Sequence, residues 1–202
     1  MSTDAHTTTR GRKIRALLAG GLVLGVGAAV TLAAWTDDEW AIGNFGAGTF
    51  SIEGSTDGTT YDEHPVEGEA AALAYELDAA NLVPGQTVAA PFAIRTTADT
   101  TYGATVTLAG SAGDGAIADD LTYGITQVAT VEDCAPGAGT AVVPADTALG
   151  TAPDSAEVDL AAAAAGTAGE AAILCIQVTT ADTLEQGETG TATWQFTAES
   201  VE

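Results

Sequence analysis

Short runs in which apolar and polar residues alternate constrain this chain more than any other feature. Between residues 191 and 198, Ala192, Trp194, Phe196 and Ala198 alternate with threonines and Gln195. Residues 102–108 carry Tyr102, Ala104, Val106 and Leu108 on one parity and Thr101, Thr105 and Thr107 on the other. Leu121, Tyr123, Ile125 and Gln127 repeat the rhythm, as do Leu73, Tyr75 and Leu77. A period of two places one face of a strand inward and the other outward. Residues 88–95 follow the Pro84-Gly85 pair, and residues 171–180 (AAILCIQVTT) form a continuous apolar run suited to a central strand. Turn-forming Gly, Asp, Asn and Pro separate these short runs, which recur mostly about every ten to twenty residues. The pattern predicts an all-β fold, a single β-sandwich of jelly-roll or immunoglobulin-like type, and not a βαβ one.

Three segments carry other signals. Asp154-Ser155, followed by Ala-Glu-Val-Asp-Leu and a run of alanines, has a helix cap and strong helix formers. A short helix near residues 154–165 is therefore as well supported as a strand with an alanine-rich loop. Residues 55–68 and 135–153, rich in Gly, Pro, Asp and Thr, read as loops.

The amino-terminal end is organised differently. Arg10, Arg12, Lys13 and Arg15 precede residues 16–34 (ALLAGGLVLGVGAAVTLAA), nineteen residues without a charge. A basic stretch, an apolar stretch and small residues at its far end have the layout of a secretory signal peptide. Cleavage at Ala33–Ala34 divides the chain into a signal at 1–33 and an exported domain at 34–202. The alternative is an uncleaved single-pass membrane anchor, since the run is long enough to span a bilayer. In that case the membrane is touched only through the signal segment.

Charge sharpens this division. The chain has 5 Lys+Arg against 28 Asp+Glu, a formal net charge of −23. Removing residues 1–33 takes away four bases and Asp4, leaving 27 acids against the single base Arg95 on 169 residues. Such a polyanion lacks the cations needed to neutralise nucleic-acid phosphates, so nucleic acid is excluded as a partner, as is an anionic lipid surface. Cys134 and Cys175 both lie in the exported part, and an even count in an oxidising compartment predicts a disulfide between them.

Beyond the signal, Ala-Ala-Trp35-Thr-Asp37 leads into Asn44-Phe-Gly-Ala-Gly-Thr-Phe50. Asn81-Leu-Val-Pro84-Gly85 then precedes the apolar stretch from Pro91 to Ile94. Together with Leu184-Glu-Gln-Gly187 and the closing strand, this order resembles the exported proteins with SipW-type signal peptides, the TasA/camelysin-like family, in its actinobacterial form. The resemblance implies cleavage before Ala34 by a dedicated signal peptidase, secretion or cell-surface display, and a place in an extracellular matrix or biofilm. It also implies subunits joined by strand exchange into fibres. Trp35, Trp40, Ile42 and Phe45 would then be the strand that one copy donates to the next. The competing reading has Trp40, Ile42 and Phe45 begin the first strand and pack in their own core.

Chemistry is sparse. Camelysin relatives have been classed as metallopeptidases, but no H-E-x-x-H occurs here, and His64 is the only histidine beyond the signal. No G-x-S-x-G elbow, Walker A loop or dinucleotide fingerprint frames a catalytic group. The chain is read as a non-enzyme without a cofactor. Carboxylates alone are in surplus, and Asp57, Asp62, Glu63, Asp119 and Asp120 are the candidate calcium ligands, against the plainer reading of a solvated acidic surface. The expected function is a secreted structural protein that assembles with copies of itself. The alternative is a surface-displayed module binding an ion, a glycan or a protein.

Overall fold

The computed structural model describes residues 9–30, 37–45, 47–75, 79–153 and 155–201. The chain divides into two compact units, Met1–Phe45 and Gly46–Glu202. In the first, α1 spans Thr9–Val30. Its first turns carry Arg10, Arg12, Lys13 and Arg15, and among the described residues no helix is long and apolar enough to cross a membrane. Residues 37–45 have no regular secondary structure. Ala33, Ala34 and Trp35, on which the cleavage and part of the donor-strand reading rest, lie outside the described residues.

The second unit is the predicted β-sandwich. Its strands are β1 (Ile52–Ser55), β2 (Thr87–Thr96), β3 (Gly103–Gly115), β4 (Leu121–Val128), β5 (Thr140–Ala148), β6 (Glu157–Leu160), β7 (Ala172–Thr180) and β8 (Gly190–Val201). A five-stranded sheet has the order β1-β2-β7-β4-β5 and a three-stranded sheet the order β6-β3-β8, with every named strand pair antiparallel. The apolar run of β7 occupies the centre of the larger sheet. Leu174, Ile176 and Val178 point into the shared core, while Cys175 faces the opposite side with Ala89 and Cys134.

One apolar cluster joins the sheets. The larger sheet contributes Val88, Ile94, Tyr123, Ile125, Val143, Leu174 and Ile176, and the smaller one Ala104, Val106, Leu108, Val158 and Leu160. Aromatic pairs cross the interface: Phe92 lies 5.8 Å from Phe196, and Tyr123 meets Trp194 edge-on at 5.9 Å. Pro91 sits in the interior of β2, opposite Cys175 of β7, where β1 no longer reaches, since β1 pairs only with Ala93–Thr96. A proline has no N–H for a ladder, and such an uncovered position needs none.

The structure corrects several expectations. Residues 157–160 form strand β6, not part of a helix. Val158 and Leu160 are buried and alternate with exposed Glu157 and Asp159, so pairing with Ala104–Thr107 overrides the helical propensity. The supposed loop at 135–153 contains β5, whose proline and register shifts against β4 disguised it. Leu73 and Tyr75 pack against the core as their alternation implied, but residues 71–75 join no ladder, and Leu77 lies outside the described residues. Tyr102, grouped with the inward residues, is 48% exposed just before β3 begins. The first strand starts at Ile52, so Trp40, Ile42 and Phe45 do not begin it.

Candidate functional site

The segment at 37–45 holds the three most exposed large hydrophobic side chains among the described residues, ahead of Leu17, Leu18 and Leu22 of α1. Trp40, Ile42 and Phe45 are 91%, 88% and 97% exposed. Large apolar side chains this free of cover are uncommon in clusters, and they mark surfaces that meet another molecule. A few residues later the chain is anchored firmly. Thr49 makes a parallel bridge to Thr100, and its hydroxyl donates to the Asp99 carbonyl at 3.0 Å. The Ser51 N–H donates to Thr100 Oγ1 at 3.0 Å, and Thr100 Oγ1 donates to the Ser51 carbonyl at 3.1 Å. Thr97 Oγ1 sits within hydrogen-bonding distance of both Ser51 and Thr100. Thr100 is fully buried, so this hydroxyl cluster is satisfied internally and fixes where β1 starts.

The four sheet edges are not equivalent. β1 has four residues, and Gly54 exchanges backbone hydrogen bonds with Asp62 at 2.9 and 3.0 Å. β5 is broken by Pro144, by register shifts, and by Asp146 at φ 62°, a left-handed conformation rare outside glycine. β6 is four residues long and carries Glu157 and Asp159. Short length, bulges, proline and charge are the usual means of blunting an edge. β8 runs for twelve residues and over Gly190–Ala198 carries neither proline nor charge. The one register shift of its ladder, between Leu108 and Gly110 opposite Phe196 and Gln195, places the extra residue in β3. Among the described residues, no backbone group is hydrogen-bonded to the side of β8 away from β3.

The carboxylates nominated for calcium are placed separately and several are already engaged. Asp57 Oδ1 accepts from the Thr59 and Thr60 N–H groups, both at 2.7 Å, and from the Ser55 hydroxyl at 2.9 Å. These donors, Thr60 foremost, hold the Asp57 carboxyl well below the usual carboxylate range. Asp57 thus closes its own turn. Asp62 pairs with Gly54 through its backbone, and exposed Glu63 follows it. Asp120 Oδ1 accepts from the Thr183 hydroxyl at 2.6 Å, with Asp119 beside it on a 3₁₀ turn at Ala116–Asp120. Among the described residues, no group of three or more His, Cys, Asp or Glu could hold a metal ion.

The single cation of the sandwich is also committed. Arg95 Nε donates to Glu53 Oε1 at 2.6 Å, and its guanidinium carbon lies 3.6 Å from the centre of the Tyr61 ring. Burial raises the Tyr61 phenol above its ordinary value. Cys134 and Cys175 form the expected disulfide, with Cα atoms 5.2 Å apart. It lies on the outer face of the larger sheet and ties the loop after β4 to the central strand.

The Cys134–Cys175 disulfide was legible in the sequence, but the open edge of β8 was not. The missing signal was comparative, because one strand's edge stands out only when its three counterparts are seen to be blunted. Compared with known proteins, the chain matches no family model and no curated sequence.

Proposed function

We propose that this chain is an exported structural protein of the cell surface or extracellular matrix, which assembles with copies of itself by strand addition. The carrying observation is the exposure of Trp40, Ile42 and Phe45 in a segment outside any strand. Added to a sheet edge of another copy, that segment would gain backbone hydrogen bonds and cover its aromatic side chains. Because donor and acceptor are different surfaces, the contact is head-to-tail and propagates into a filament.

Three further features support the reading. The basic and then apolar order of residues 10–34 suits export, with cleavage before Ala34. The Cys134–Cys175 bond suits an oxidising compartment. The motif order resembling the TasA/camelysin-like family points to a matrix fibre, and no step of this function requires catalysis.

Electron microscopy of the protein from Ala34 onward, with and without calcium, tests the proposal. Filaments are expected, and deletion of residues 34–44 is expected to leave a folded protein that does not polymerise. Fibres formed by the truncated protein would sink the donor-strand reading. Because acidic self-repulsion weakens with ionic strength, added salt is expected to promote assembly. A response to calcium beyond that of sodium at equal ionic strength would mark a specific carboxylate site.

A further inference from the structure

The open edge of β8 carries a symmetric sequence pattern. From Ala192 to Ala198 the strand reads Ala-Thr-Trp-Gln-Phe-Thr-Ala, which is symmetric about Gln195 by residue type. Trp194 matches Phe196, Thr193 matches Thr197, and Ala192 matches Ala198. We propose that β8 is a self-association edge, along which two copies pair antiparallel across a two-fold axis at Gln195. Their three-stranded sheets then join into one six-stranded sheet.

The register follows from the symmetry. With Gln195 facing its own copy, Trp194 of each chain lies opposite Phe196 of the other, and Thr193 opposite Thr197. Aromatic pairs and threonine pairs directly across an antiparallel ladder are among the favourable combinations. Trp194 and Phe196 pack against the core of their own sandwich yet remain partly exposed. Pairing along β8 would bring the two aromatic pairs side by side and cover that remaining surface.

Charge selects the same edge. A sandwich whose only base is held by Glu53 repels copies of itself over most of its surface. Gly190–Ala198 is an uncharged seam within it, and in this register Glu199 faces Thr191 instead of another acid. The three blunted edges offer no comparable stretch. An isologous contact of this kind closes at two copies, so it is separate from head-to-tail strand donation and does not rest on it.

Site-directed crosslinking of the full chain tests the register. Under mild oxidation Gln195→Cys is expected to give a covalent dimer, since residues on the axis are directly opposed. Thr197→Cys is expected not to, because the two copies of residue 197 are then about 13 Å apart. In sedimentation velocity, Gln195→Lys is expected to weaken dimerisation about fivefold, by placing like charges on the axis. It should do so although it lowers the net negative charge of the protein. The Gln195 side chain is exposed, so near-ultraviolet circular dichroism should show the variant folded. A monomeric parent protein, equal crosslinking at positions 195 and 197, or loss of the position-195 crosslink on deleting residues 34–44 would each overturn the proposal.

Discussion

Arg95 and Glu53 are direct partners across β2 and β1, and their side chains meet at 2.6 Å beside the Tyr61 ring. The pair holds the short strand β1 to the sheet at the point where the chain enters the sandwich. It also removes the one cation of that unit from any role toward an external partner. A polyanionic surface without a free base is suited to cations and to neutral seams, not to acidic ligands.

Replacing Arg95 by Ala is expected to destabilise the fold by about 1–2 kcal/mol. It removes a cross-strand ion pair and a cation–π contact, and it leaves Glu53 poorly compensated. Glu53→Gln keeps an acceptor for the guanidinium and is expected to cost less. Urea denaturation of both variants reads the difference, and equal losses would mean that the charge of Glu53 dominates.

Changing both Cys134 and Cys175 to Ala is expected to lower stability by about 4 kcal/mol on loop-closure grounds, given their separation of 41 residues. Cys134 and Cys175 are 3% and 0% exposed, so the native bond is expected to resist reductant until the protein unfolds. Thiol labelling with and without denaturant checks this.

The stability of the sandwich is expected to fall at both ends of the pH range for identifiable reasons. The Asp57 carboxyl is held low by the Thr60 and Thr59 N–H groups and the Ser55 hydroxyl, so its contribution is present above about pH 4 and lost below. Burial pushes the Tyr75 phenol up to about 12, so its contribution is present below about pH 10 and lost as the pH climbs toward 12. Asp57→Ala is expected to flatten the acid limb and Tyr75→Phe the alkaline limb. Denaturation midpoints across the pH range measure both.

Thr96 is fully buried, and its hydroxyl has no hydrogen-bond partner among the described residues. An unsatisfied buried hydroxyl is costly, whereas a methyl group in its place is not. Thr96→Val is expected to raise stability by about 0.5–1 kcal/mol in thermal or urea unfolding. A loss instead would show that the close approach of Gly169 leaves no room for the added methyl group.

Much of the fold was legible because alternation is a local signal. Ala104, Val106 and Leu108, or Trp194 and Phe196, declare their inward face through spacing alone, and β7 announces a central position by being apolar on both faces. The Cys134–Cys175 bond was foreshadowed by the even count of cysteines. Where local preferences conflicted, spacing was not enough. Residues 157–160 have helical propensity and strand alternation at once, and only the ladder with β3 decides between them. Pro144 and Asp146 disguise β5 because an edge tolerates residues that a central strand excludes.

The sequence by itself therefore determined the strand faces, the acidic character of the surface and the isolation of Arg95 as its only base. Tertiary structure decided which strands lie at edges, which edges are blunted, and where the few charged partners meet. The reason is physical: side-chain periodicity is written within a strand, whereas its neighbours are set by long-range pairing. The sequence of β8 holds a symmetric stretch about Gln195, but only the sheet order shows that one side of it is left unpaired.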